Sequence, residues 1–169
     1  MDAQGHVKVR AVHILALCAV AMAAAGAEEK PAAHDEHPVS AAGYAPGLGE
    51  IMSLQQMRHA KLWLAGSRKN WPLAAYELDE LREGFDDLQK LYPTHEGVPV
   101  GSMAASLTQS PLQALDQAID AKDTARFRKS FDQLTEACNT CHRGAQHAFI
   151  VITRPSASSF PNQKFAPAR

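Results

Sequence analysis

The segment from residue 123 to residue 149 carries the pattern that most restricts how this chain can fold. Placed at 100° per residue, its apolar side chains and both cysteines of a Cys-x-x-Cys-His motif fall on one side of a helix. The stripe consists of Phe127, Phe131, Leu134, Cys138, Cys141, His142, Ala145 and Phe149. Asp123 or Thr124 can open this helix, which is predicted to reach about Phe149. An apolar stripe of this width must face a core, so other helices are needed to cover it.

Three earlier segments meet that need. A first helix is predicted from about Leu48 to Ala65, and a second runs from the Asn70 cap to about Tyr92. A short third helix is predicted to begin at Ser110-Pro111, with 103–107 adding one helical turn. Mostly short connections between four amphipathic helices predict an all-α, antiparallel four-helix bundle over 48–150. The proline-containing segment 151–169 is expected to be an extended C-terminal tail.

The first 27 residues are typical of a secretory signal peptide. A basic start precedes an apolar run, and small residues around Ala27 suit cleavage there. Cleavage would remove Cys18 and deliver the mature chain to the periplasm. Residues 28–47, rich in Ala, Pro, Gly and His, are predicted to be a flexible linker. His34 and His37 in this linker are interpreted as solvated residues rather than as metal ligands.

The motif Cys138-Asn139-Thr140-Cys141-His142 matches the attachment signature of haem c. Two thiols three residues apart lie on one face of a helix, where they can add to the two vinyl groups of one porphyrin edge. The adjoining imidazole of His142 can then ligate the iron. One covalently attached haem c is therefore predicted as the cofactor.

Two other uses of the cysteine pair compete with this interpretation. A disulfide or thiol redox couple usually accompanies a strand-helix-strand pattern, whereas this chain is predicted to be helical. A closed zinc site needs four ligands, and the mature chain has no second cysteine pair. His147 is the only other nearby donor on the same predicted helix.

The leader, four helices and single haem motif near the C-terminus resemble the cytochrome c-prime family and its low-spin relatives, the class II cytochromes c. The resemblance covers about 48–149 and implies a haem between the first and last helices. It assigns Cys138 and Cys141 to the thioether bonds and His142 to the proximal iron ligand. This chain differs from that family in two respects, because Arg143 directly follows the histidine and a long tail continues to Arg169.

The sixth iron ligand decides which function the resemblance implies. In the low-spin relatives an early methionine of the first helix fills that position, and Met52 lies where it would be expected. His59 is the rival ligand on the same face, and Met57 points away. Both Met52 and His59 could instead be ordinary core residues.

A Met-His pair favours electron transfer, whereas an open sixth position favours binding of small gases such as NO or CO. An enzyme such as a peroxidase is a third hypothesis, for which the sequence offers no convincing acid-base pair beyond His59. We therefore expect no enzymatic activity and an unidentified redox protein as partner. The formal net charge of −1 offers no broad basic surface for nucleic acid. The family resemblance also raises the expectation of a homodimer.

Overall fold

Four α-helices make up most of residues 43–168, which are the part of the chain that this computed structural model describes. They are α1 (Leu48–Gly66), α2 (Trp71–Leu91), α3 (Val100–Asp120) and α4 (Thr124–Gly144). Each helix packs on the next one in the chain, and α1 also lies beside α4. The prediction of an all-α four-helix bundle is confirmed. The predicted leader and residues 28–42 of the predicted linker, with His34 and His37, lie outside the described residues.

The beginnings of α2 and α4 follow the capping signals in the sequence. Asn70 accepts a hydrogen bond from the backbone N–H of Leu73 at 3.4 Å. The Asp123 carboxylate accepts from the N–H groups of Ala125 and Arg126 at 2.9 and 3.0 Å. These bonds satisfy amide groups that have no partner within the helix, so both helices start where predicted.

The prediction that α4 extends to Phe149 is wrong, because the helix ends at Gly144. Gln146 takes a left-handed backbone conformation with φ of 63°. The N–H of His147 then bonds the carbonyl of His142 at 2.7 Å, and that of Gln146 bonds Arg143 at 3.2 Å. This Schellman closure turns the chain away from the helix axis. Phe149, predicted on the buried face, is consequently 78% exposed.

The predicted start of the third helix is also wrong. Helix α3 begins at Val100 and continues through Pro111, which the sequence suggested as its first residue. Proline in a helix interior removes one backbone hydrogen bond and costs about 3 kcal/mol. The early turns nevertheless form because Val100 and Ala104 are buried against Ile51 and Leu88. Burial of this apolar face outweighs the local preference of the proline.

The core consists of two apolar clusters stacked along the bundle. The larger one is rich in aromatic side chains, and its bulkiest members are Trp63, Phe127 and Phe131, with Trp71 packed against it. The smaller cluster contains Ile51, Leu88, Val100 and Ala104 at the opposite end of the bundle. We call these ends the aromatic end and the open end. Cys138 contacts the first cluster and Cys141 the second, so the cysteine pair lies between them.

Two segments outside the helices are attached to this core. The tail beyond residue 150 contains no helix or strand, and its Phe165 is only 4% exposed within the larger cluster. Before α1, Ala45 is buried and the Tyr92 hydroxyl donates to the carbonyl of Pro46 at 3.1 Å. The last residues of the predicted linker therefore pack on the bundle. No helix within residues 43–168 is long and apolar enough to cross a membrane.

We expect Gly66→Ala to destabilise the protein by about 1–3 kcal/mol, as overpacking of a core typically does. A Cβ atom at Gly66 would overlap the ring of Phe127, because that ring lies directly against the backbone of Gly66. Urea unfolding should show the loss, and replacing Phe127 by Leu in the Gly66→Ala background should recover part of it. Gly49→Ala is the matched control in the same helix, since a Cβ at Gly49 meets nothing within 4 Å. Equal stability of the two alanine variants would contradict the close contact.

Candidate functional site

A cavity lies between α1 and α4, toward the end of the bundle away from the contact of Gly66 with Phe127. Its volume is about 330 Å³, within the range of small-molecule sites. Side chains of α1 and α4 form its facing walls, and Leu81, Phe85, Leu88, Val100 and Ala104 form its base. Because α1 runs antiparallel to α4, the start of α1 faces the end of α4, where the Cys-x-x-Cys-His motif lies.

All five residues singled out from the sequence line this one cavity: Met52, His59, Cys138, Cys141 and His142. Met52 and Cys141 both pack on the smaller apolar cluster at the open end. Met57 instead lines a separate groove between α1 and the tail. The structure therefore brings the two cysteines and the histidine of the motif together with both candidate sixth ligands.

Both cysteine side chains are partly buried free thiols in a largely apolar setting. Burial raises the pKa of the Cys138 thiol to about 12 and also raises the pKa of the Cys141 thiol. Desolvation disfavours the charged thiolate, so both groups are neutral at pH 7. Reactive thiols and zinc ligands are instead thiolates stabilised by nearby positive charge. Within residues 43–168, no group of three or more His, Cys, Asp or Glu side chains could hold a metal ion.

The ring of His142 is oriented by the chain that follows α4. Its Nδ1 lies 3.0 Å from the carbonyl oxygen of Ile150, which can only accept a hydrogen bond. Nδ1 is therefore the protonated nitrogen, and Nε2 keeps its lone pair. An imidazole with one nitrogen bonded to a backbone carbonyl is the usual arrangement of a metal ligand, since this bond fixes the tautomer and strengthens the donor.

His59 has the opposite tautomer. Its Nε2 lies 2.9 Å from Oγ1 of Thr135, and that hydroxyl donates its own proton to the carbonyl of Phe131. Thr135 must therefore accept a hydrogen bond from the Nε2–H group of His59. The ring also lies against Phe131, with 4.4 Å between the ring centroids. Burial lowers the pKa of His59 to about 4, so it is neutral at pH 7.

Other polar side chains in the cavity wall are also bonded to the protein. The Gln55 amide donates to the carbonyl of Leu81 at 2.9 Å. The Thr108 hydroxyl donates to the carbonyl of Ala104 at 2.8 Å. The wall of the cavity is therefore mainly apolar. Nε2 of His142 and the sulfur of Met52 carry a lone pair and no hydrogen, so each could donate that lone pair to a metal. Such a pocket could hold a large apolar cofactor whose metal takes nitrogen or sulfur ligands.

Several contributors to the site were not identified from the sequence. Thr135, the partner of His59, lies one turn before Cys138, and this spacing could have indicated that the two residues share one face of α4. His95, in the loop after α2, also lines the cavity. His147, which the sequence suggested only as a possible donor to zinc, lines it from the loop after α4. No residue type in the sequence could have indicated the role of the Ile150 carbonyl, because this role depends only on where the chain turns after Gly144.

Comparison with known proteins adds no assignment, because no protein-family model, curated protein or solved structure matches this chain.

We expect acid to destabilise this protein partly through His59. The unfolded chain takes up a proton there near pH 6.5, whereas the folded chain does so only near pH 4. Between these values the unfolded state binds more protons, so stability falls as the pH falls. From pH 7 to pH 5 this contribution is about 2 kcal/mol.

Urea unfolding at the two pH values checks this effect, which should disappear in His59→Leu. The His95→Gln variant is the control and should keep the full acid dependence. If His59→Leu loses as much stability as the wild type between pH 7 and pH 5, His59 is not the group responsible.

Proposed function

We propose that this protein is an exported, periplasmic c-type cytochrome that carries one electron at a time and catalyses no bond making. One observation carries the proposal: both thiols and the imidazole of the Cys-x-x-Cys-His motif line a single apolar cavity between α1 and α4. The motif alone is five residues long and could occur by chance. A cavity lined by the residues of the motif is an independent reason to propose a cofactor at this site.

The residues present fit haem c. Cys138 and Cys141 lie one helical turn apart, and each thiol would form a bond from sulfur to one vinyl carbon while its hydrogen goes to the other. His142 would provide the proximal ligand through Nε2, because Nδ1 is already bonded to Ile150. When bound, haem supplies a one-electron Fe(III)/Fe(II) couple. The apolar wall would exclude water and, with the axial ligands, set the potential.

Met52 is the sixth ligand that we favour. It lies on the wall formed by α1, opposite the motif, and its thioether has no proton to lose. His59 is less suited, since binding iron through Nε2 would break its hydrogen bond with Thr135. A methionine-histidine pair fills both axial positions and raises the potential, which suits electron transfer rather than ligand binding.

Replacing Cys138 and Cys141 by Ala should abolish covalent haem retention. The protein would be produced in a host with a haem c maturation system and denatured before mass spectrometry. The wild-type chain should carry one haem mass that remains after denaturation, and the double variant should carry none. Detection of the bare polypeptide mass alone in the wild type would contradict the proposed function.

Met52→Ala should convert a low-spin spectrum into a high-spin one and allow carbon monoxide to bind the reduced protein readily. Met57→Ala is the matched control, because that methionine lines the separate groove and should leave the spectrum unchanged. His59→Ala should also leave the low-spin bands in place. If wild-type protein already binds carbon monoxide without a lag, the five-coordinate gas-binding function replaces the electron carrier.

A further inference from the structure

The tail is attached to α4 inside the haem motif itself. Asn139, which lies between the two cysteines, bonds both backbone groups of Ile152 with its side-chain amide. Its Nδ2 donates to the Ile152 carbonyl at 2.9 Å, and its Oδ1 accepts from the Ile152 N–H at 2.8 Å. A side chain that satisfies both groups of one residue holds that residue in a single position, as a neighbouring strand would.

The contact between His142 and Ile150 lies next to the contact between Asn139 and Ile152, on the same helix and the same segment of chain. Asn139 and His142 lie three residues apart and so share one face of α4. Their partners, Ile152 and Ile150, lie two residues apart in a segment without helix or strand. Two extended residues span about 6.6 Å, close to the roughly 5 Å between side chains three apart on a helix. The tail can therefore follow the helix surface and meet both side chains at once.

Contacts further along the tail hold it against the bundle. Nη2 of Arg154 lies 2.5 and 2.6 Å from the two carboxylate oxygens of Asp132 on α4. The same guanidinium lies 4.2 Å from the ring centroid of Trp63 on α1, a cation–π distance. Phe165 is buried in the larger cluster. The tail thus spans the α1–α4 side of the bundle, with Asn139 as its attachment nearest to His142.

We propose that Asn139 is a positioning residue for the iron ligand. By holding Ile152 it places the carbonyl of Ile150 at Nδ1 of His142, and this bond keeps Nε2 directed at the iron as the unprotonated donor. The inference rests on the proposed function, since it concerns the iron ligand of that site. It adds that the tail and Asn139 together set how strongly His142 donates to the iron, although the Cys-x-x-Cys-His motif accepts any residue at position 139.

The test compares Asn139→Ala with Thr140→Ala, the neighbouring position of the motif. The Thr140 side chain is hydrogen-bonded to Glu136 and Arg143 rather than to the tail, so it controls for disturbance of the motif. NMR of ¹⁵N-histidine-labelled protein would measure how fast the Nδ1 proton of His142 exchanges with solvent. The midpoint potential of the same samples would be measured by redox titration.

In Asn139→Ala we expect exchange of the Nδ1 proton to become about tenfold faster or more, as follows from losing two hydrogen bonds. The midpoint potential should rise, because an imidazole without its carbonyl partner is a weaker donor to Fe(III). Asn139→Asp keeps the bond from the Ile152 N–H and should restore part of both properties. Thr140→Ala should match the wild type.

Unchanged exchange and unchanged potential in Asn139→Ala would overturn the inference while leaving the cytochrome proposal intact. A shift of the same size in Thr140→Ala would overturn it too, since the effect would then come from the motif helix rather than from the tail. If the purified chain carries no haem, the proposed function fails. The exchange rate of the His142 proton still decides in that case whether Asn139 holds the ring.

Discussion

The close contact between Gly66 and Phe127 joins α1 and α4 at the aromatic end of this bundle. A glycine on α1 lets the aromatic ring of α4 approach the helix backbone, which a single added Cβ would prevent. The helices meet closely at this end, where the large aromatic side chains fill the core. Toward the other end a cavity lies between α1 and α4, and side chains of α2 and α3 also line it. The Cys-x-x-Cys-His motif lies along this cavity.

The chemistry of the cavity follows from burial. Desolvation keeps the two thiols and His59 neutral at pH 7, and the Gln55 amide in the wall bonds to the protein. Among the side chains that line the cavity, His142 through Nε2 and Met52 through its sulfur could each donate a lone pair to a metal. If haem were held in this cavity, the residues that ligate its iron and the apolar wall would together influence its potential.

Sequence patterns were least reliable where tertiary contacts opposed a local signal. Ser110-Pro111 is a good helix start by itself, yet α3 passes through it because the apolar face formed by Val100 and Ala104 is buried against α1 and α2. The apolar period of α4 continues to Phe149, but a left-handed Gln146 ends the helix five residues earlier. A glutamine in the sequence does not predict such a helix end, since the left-handed residue after a helix is usually glycine.

The sequence by itself determined the number of helices, their apolar faces, two of their caps and the five residues that line the cavity, because periodicity and capping act within one segment of chain. Tertiary structure alone decided that a cavity lies between α1 and α4 beside the motif. It also decided that Thr135 accepts a hydrogen bond from Nε2–H of His59 and that the Ile150 carbonyl orients His142. Each of these depends on which groups meet across the bundle or after a turn. Backbone carbonyls have no sequence signature, so contacts of this kind become visible only when the chain is folded.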